Sequence, residues 1–249
     1  MTTTPPLLTL RDVRCVLEGQ TVLDGIDLDV QRGERVALIG PNGAGKTTLF
    51  QAICGLRPLQ AGSISLAGQR LDRLRPDQIA RAGVGRSFQT PQVYASLSVA
   101  DNLRGTLLGQ RRGGWLRRLG GDTALEHGTA RWLQAMQLQL QASTPARHLD
   151  DASLRALELG MALATEAQLL LLDEPTAGMS RTQAVQLLDR VAQCCAGRTL
   201  LLIEHDLDAV FRLASRVVVL HHGRVLADGT PQQVRADPRV QTAYMGAAP

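Results

Sequence analysis

The sequence predicts an α/β fold built on an open sheet that gathers a ligand at its strand ends, and three stretches predict it. Residues 36–39 (Val-Ala-Leu-Ile) read as a buried strand running into the turn Gly40-Pro41-Asn42-Gly43-Ala44-Gly45, after which Lys46-Thr47-Thr48 opens a helix. Residues 169–172, four leucines, read as a strand buried on both faces that ends on Asp173-Glu174. Residues 198–203 form a further apolar strand that ends on Glu204-His205-Asp206. Each strand delivers polar groups suited to phosphate at its carboxyl end.

Taken in order, residues 7–13, 21–30 and 35–39 alternate or run apolar as strands, with turn signals at Glu18-Gly19 and across 31–34. This arrangement delivers the phosphate loop at a sheet's carboxyl end. A helix is expected over 45–54, a short strand over 63–66, and a helix over 77–82 that stops at Gly83. From about 99 to 163 the pattern is mainly helical, broken by a glycine- and arginine-rich stretch at 109–121. Within it, Leu125, Trp132, Leu133, Met136 and Leu140 fall on roughly one helical face, which predicts core packing across 125–140. Residues 217–220 and 224–227 read as a hairpin around His221-His222-Gly223, and 231–236 and 238–244 as short helices. The expected organisation is one domain over 1–249, with 1–90 and 164–249 forming a nucleotide-binding core and about 91–163 an inserted helical subdomain.

Bulk properties exclude several classes. At 249 residues and 44% hydrophobic content the chain can bury a sizeable core. The formal charge of +4 is partly local, in Arg111, Arg112, Arg117 and Arg118. Aromatic residues make up only 3%, so a stacking platform for single-stranded nucleic acid is not expected. Cys15, Cys54, Cys194 and Cys195 lack metal-ligand spacing. No apolar run approaches 18 residues, so any membrane association is expected to be peripheral.

The chemistry concentrates at the strand ends. Gly40 to Thr47 have Walker A spacing: glycines let successive backbone N–H groups turn toward phosphate oxygens, the helix start adds its positive end, Lys46 supplies a point charge and Thr47 a Mg²⁺ ligand. Of 27 Lys and Arg residues, Lys46 is the only lysine, which argues for a specific requirement at that position. Asp173 fits the Walker B role, holding Mg²⁺ through water, and Glu174 is placed to polarise an attacking water. His205, alone, reads as a structural histidine after a buried strand; its value lies in being at the third such strand end. Gln89, in Gly85-Arg86-Ser87-Phe88-Gln89-Thr90-Pro91, gains meaning only from what lies downstream.

Together these residues resemble an ATP-binding cassette (ABC) ATPase over nearly the whole chain, which implies the α/β ABC ATPase fold: a P-loop core sheet with an N-terminal antiparallel β subdomain and an inserted helical subdomain. Walker A at Gly40 to Thr48, a Q-loop at Gln89, Walker B through Asp173, a catalytic glutamate at Glu174 and an H-loop at His205 stand in the family's order. The Gly85-Arg86-Ser87-Phe88-Gln89 segment, the arginine-rich insertion, Glu174-Pro175-Thr176-Ala177-Gly178-Met179 and the ending Ala243-Tyr244-Met245-Gly246 are similar to the ATPases of branched-chain amino-acid importers. Urea and amide importers share most of these features. The resemblance implies that ATP is held by Leu17, Gly40, Pro41, Asn42, Gly43, Ala44, Gly45, Lys46, Thr47 and Thr48, and that Thr47, Gln89 and Asp173 hold Mg²⁺. Glu174 would serve as general base, with His205 and Gln89 completing the catalytic set. It further implies a peripheral ATPase on the cytoplasmic face of the inner (plasma) membrane, with a companion ATPase, two transmembrane permease subunits, an extracytoplasmic solute-binding protein and no nucleic acid.

Three departures from the family pattern stand out. The signature, Leu-Ser-Gly-Gly-Gln or a relative, is replaced by Leu149-Asp150-Asp151-Ala152-Ser153. The family's serine and glycine donate to the partner subunit's γ-phosphate, and a carboxylate offers no donor. Two unit charges about 4 Å apart at an effective dielectric near 20 repel by roughly 4 kcal/mol, so this signature is expected to support hydrolysis poorly. A heterodimer follows as the expected assembly, because a companion with an intact signature would complete a working site on Lys46 and Glu174. A regulatory subunit with little hydrolysis is the alternative. Leu17 stands where the family stacks an aromatic ring on adenine, and Ser180 where it places the D-loop aspartate.

Overall fold

The computed structural model describes residues 5–87, 93–110, 123–204 and 207–245. They form two compact units. The first gathers the chain through Arg86, Ala167–Glu174 and the chain from Cys195 onward; the second gathers Ser87–Glu166 and Pro175–Cys194.

The first unit holds two sheets. Strands β1 (Leu8–Leu17), β2 (Gln20–Val30), β4 (Ala61–Leu66) and β5 (Gln69–Arg70) form an antiparallel sheet in the order β2-β1-β4-β5. Its period is legible in β1, where Leu8, Leu10, Val13 and Cys15 are buried. A register shift between Leu10 and Val13 moves the buried set from even to odd numbers, which is how a bulged strand keeps its apolar face inward.

The second sheet comprises β3 (Arg35–Ile39), β6 (Val84–Arg86), β7 (Leu169–Asp173), β8 (Thr199–Ile203), β9 (Arg216–His221) and β10 (Arg224–Gly229), in the order β10-β9-β3-β8-β7-β6. Every pairing is parallel except the edge pair β9-β10. All residues of β7 and β8 are buried, which is why the sequence shows continuous leucine there instead of alternation. The register sets Leu38, Ile203 and Asp173 in one row across β3, β8 and β7, so the loops after β3 and β7 leave the same sheet edge one strand apart. The sequence pattern assigns no strand at 84–86; three residues centred on Gly85 are too few to show a period. Helices α1 (Lys46–Ile53), α2 (Pro76–Ala82), α7 (Leu207–Leu213), α8 (Pro231–Ala236) and α9 (Pro238–Met245) complete this unit among the described residues. Thr230 caps α8 in a capping box with Gln233, with Pro231 at the first helical position.

The second unit packs α3 (Val99–Gln110), α4 (Thr123–Met136), α5 (Asp151–Ala164) and α6 (Arg181–Cys194), with 3₁₀ turns at Gln139–Gln141 and Ala146–His148. Leu103, Leu125, Trp132, Leu133, Met136, Leu157, Leu163, Leu187 and Val191 are buried. The fully buried Asn102 fastens the segment before α3: its amide donates to the carbonyls of Tyr94 and Ser98 at 3.1 and 2.9 Å and its oxygen accepts from the Tyr94 N–H at 2.8 Å. One expectation is corrected here. Leu140 does not join the face of Leu125, Trp132, Leu133 and Met136 but is fully exposed. Gln137 takes a φ of 57°, and the Leu138 N–H closes on the Leu133 carbonyl at 2.8 Å, so α4 ends in a Schellman-type stop and the 3.6-residue period does not reach Leu140. A second omission is α6, whose Ala184, Leu187, Leu188 and Val191 carry a plain i, i+3, i+4, i+7 signal that the sequence reading, following strands there, does not use.

Candidate nucleotide-binding site

The phosphate loop is shaped by glycines that no other residue can replace. Gly40 has a φ of 148°, and a Cβ on it would stand 2.1 Å from the Leu220 carbonyl oxygen. Gly45, with a φ of 102°, precedes α1, and a Cβ there would meet Leu23 Cδ2 at 2.8 Å and the Val22 carbonyl oxygen at 2.9 Å. The loop is closed by the Ala44 N–H on the Pro41 carbonyl at 3.2 Å and braced from outside by the Gly223 N–H on the Ala44 carbonyl at 3.2 Å. Helix α1 starts with no side-chain cap and no acidic residue in its first turn, which leaves its positive end directed at the loop.

Lys46 is 6% exposed, and its Nζ donates to the carbonyls of Gly40 at 2.7 Å and Pro41 at 3.0 Å. Burial lowers its pKa, while Glu174 and Asp173 pull it back up. An opening of about 190 Å³ is lined by Val22, Asn42, Gly43, Ala44, Gly45, Lys46, Thr47, Thr48 and Glu174. The fold thus brings Walker A and the glutamate after Walker B, 128 positions beyond Lys46, around one space. Glu174 adopts a φ of 47°, a left-handed conformation that costs a non-glycine residue about 1–3 kcal/mol, and its N–H donates to the Ile203 carbonyl at 3.0 Å. Leu17 is half-buried against the core of the unit and does not line this opening; Val22 does.

Asp173 is buried, and the Arg86 guanidinium donates to its Oδ2 at 3.3 Å. Cys54, at the end of α1, also feels Arg86, but burial dominates and pushes its thiol up to about 11. Arg86 is the site residue that sequence reasoning passes over: it stands in the quoted Gly85-Arg86-Ser87-Phe88-Gln89 stretch, and only strand β6 beside β7 puts it against Asp173. Among the described residues no group of three or more His, Cys, Asp or Glu side chains gathers to hold a metal. The Thr47 hydroxyl and the Asp173 carboxylate suit Mg²⁺ nonetheless, because that ion takes few protein oxygens and fills its shell with phosphate oxygens and water. Gln89 and His205 lie outside the described residues.

In the second unit, Asp150 caps α5. Its carboxylate accepts from the Ser153 N–H at 2.8 Å and from Ser153 Oγ at 3.3 Å. The preceding Leu149 is half-buried, and Asp151, the first residue of the helix, is exposed ahead of Ala152. Further along α5, Arg155 Nε donates to the Pro175 carbonyl at 3.1 Å and the same guanidinium pairs with the buried Glu158. Ser180 caps α6, its Oγ accepting from the Gln183 N–H at 3.4 Å while Gln183 Oε1 accepts from the Ser180 N–H at 3.1 Å.

Comparison with known proteins agrees with these features. Residues 23–177 match the family model described as ABC transporter, and 224–249 match the model described as branched-chain amino acid ATP-binding cassette transporter. The chain is 35% identical to the high-affinity branched-chain amino acid transport ATP-binding protein LivG of Escherichia coli (strain K12), over 98% of this chain and 99% of that protein. It is 34% identical to BraF, of the same description, from Pseudomonas aeruginosa, over 98% and 99%. Among solved structures, the ADP conformation of an ATP-binding cassette of an ABC transporter superposes with a TM-score of 0.83 at 27% identity, covering 98% of this chain and 100% of that one. An ATP-binding subunit of an ABC transporter gives 0.79 at 29%, covering 97% and 99%.

Proposed function

The chain belongs to the ABC transporter family and is one of its ATPases, and from that premise we propose that it drives import of branched-chain amino acids. The convergence of Lys46, Thr47 and Glu174 on one opening is the observation that carries the catalytic half of this reading. The match of 224–249 to the branched-chain model, with the full-length likeness to LivG and BraF, supports the solute class.

In the proposed reaction the loop amides of 40–48 cradle the β and γ phosphates of ATP. Lys46 leaves the carbonyls of Gly40 and Pro41 for phosphate oxygens, and Glu174 accepts a proton from the attacking water. Thr47, Asp173 and Gln89 would hold Mg²⁺, which when bound neutralises charge developing on the phosphates. The Arg86 guanidinium pairs with the buried Asp173 carboxylate and orients it. Gln89 and His205 complete the set by position in the sequence. Catalysis of this kind is mostly positioning and charge stabilisation.

The signature is the weak half. In Leu149 to Ser153 the carboxylate of Asp150 takes up the Ser153 N–H and hydroxyl, so the donors that would face a partner's phosphate are engaged and a negative charge stands beside them. We therefore assign the productive site to this chain's Walker motifs facing a companion ATPase with a donor-bearing signature. Two permease subunits and a solute-binding protein would complete the importer, with this chain on the cytoplasmic face of the membrane. The test is ATP turnover of the chain alone, of the chain with an equimolar companion and permease, and of that assembly with Glu174→Gln. Turnover confined to the assembly and lost with Glu174→Gln is expected. Brisk turnover by the chain alone would mean that the Asp150 signature works.

A further inference from the structure

Glu174, the residue assigned to the attacking water, is held in a left-handed conformation with a φ of 47°. A non-glycine residue keeps such a conformation only where its surroundings fix it from more than one side. On one side the Glu174 N–H donates to the Ile203 carbonyl at 3.0 Å. On the other stands Pro175, whose ring fixes its own φ and narrows the choices of the residue before it. Between the Glu174 Cα and the Pro175 carbonyl the chain is then left with two soft torsions, Glu174 ψ and Pro175 ψ. Whatever grips that carbonyl restrains both.

The grip comes from α5. Arg155 Nε donates to the Pro175 carbonyl oxygen at 3.1 Å, and Nη1 of the same guanidinium pairs with the Glu158 carboxylate one helical turn further on. Arg155 is 5% and Glu158 4% exposed. A buried ion pair of this kind is a poor source of stability, because desolvation offsets the attraction. Its geometry is specific, since the planar guanidinium carries its donors in a fixed fork and a carboxylate on one donor aims the other. Arg155, Glu158 and Pro175 all belong to the second unit, and the Glu174–Pro175 peptide bond is where the chain passes into it.

We propose that Arg155 is a positioning residue for Glu174: aimed by Glu158, it holds the Pro175 carbonyl and so fixes the backbone from which the Glu174 carboxylate reaches the attacking water. The proposal rests on the reading of Glu174 as general base, and the test separates the two.

Pro175-Thr176 is the only Pro-Thr step in the chain, so ¹³C-proline and ¹⁵N-threonine labelling isolates the Pro175 carbonyl carbon resonance. Arg155→Met combined with Glu158→Met removes the donor and leaves no buried charge behind. In that double variant the carbonyl resonance is expected to move upfield. In the assembly with companion ATPase and permease, kcat is expected to fall by about 10- to 100-fold, the scale of a small misplacement at a reacting group, with KM for ATP changed by less than about two-fold. Arg155→Lys keeps a charge beside Glu158 but not the fork; it is expected to lose kcat in step with any move of the carbonyl, and it carries the test if the double variant does not fold. Glu174→Gln, run in parallel, is expected to abolish turnover. If Glu174→Gln turns over as the natural chain does, the general-base reading fails. If Glu174→Gln is inactive while the carbonyl stays in place in the Arg155 variants, or moves with kcat unchanged, the positioning role alone is overturned. It is equally overturned if kcat falls without a move of the carbonyl, or if KM for ATP rises along with the fall, since Arg155 then acts only by packing.

Discussion

Cys54 shows how one residue at the edge of the site turns burial into a pH response. Its thiol is pushed up to about 11 from an ordinary 9.0, chiefly by desolvation, with Arg86 pulling the other way. The raised value favours the protonated fold. Its contribution is fully present below about 9 and is lost as pH rises toward about 11, because the unfolded chain releases its proton first. Urea midpoints measured at pH 8 and pH 10.5 are expected to fall further for the natural chain than for Cys54→Ala. Equal falls would show that other groups govern alkaline stability. Lys46 and Glu174 illustrate the other residue-scale effect. A lysine stored on carbonyls and a glutamate held at a φ of 47° both carry local cost that the surrounding sheet offsets, and both are the side chains assigned to the reaction.

At the scale of elements, α5 depends on its cap. Asp150 satisfies an N–H that the first turn of a helix cannot satisfy itself, so Asp150→Ala is expected to cost about 1 kcal/mol in urea unfolding. Asp150→Ser keeps a capping oxygen. It is expected to leave the urea midpoint nearly unchanged while raising turnover in the assembled complex, since it exchanges a carboxylate for a donor facing the companion's nucleotide. If Asp150→Ser unfolds as early as Asp150→Ala, the capping account fails. If its turnover stays flat, the charge at this position does not limit hydrolysis. The same scale explains what the sequence hid. Helix α4 ends by backbone geometry at Gln137, a residue with no turn signature, and so Leu140 looked internal. Strand β6 was too short to announce itself, and with it the Arg86–Asp173 pair stayed out of view.

At the scale of the whole molecule, no helix among the described residues is long and apolar enough to cross a membrane. Cells carrying this chain with and without its permease subunits, fractionated and washed with alkaline carbonate, are expected to retain it with membranes only when the permease is present, and to release it on washing. Retention without permease would point to a lipid-binding surface instead. What the sequence determined alone was the chemistry: Walker A spacing, the solitary Lys46, the four-leucine strand ending in Asp173-Glu174, and the core strands, all written in local composition and short-range period. What only the tertiary structure decided was which distant residues meet. The strand order β3-β8-β7-β6 sets Glu174 by Lys46 and Arg86 against Asp173, and the Ser153 N–H binds the Asp150 carboxylate. Such juxtapositions depend on sheet register and helix docking, which arise from the packing of the whole chain and leave no mark within a window of ten residues.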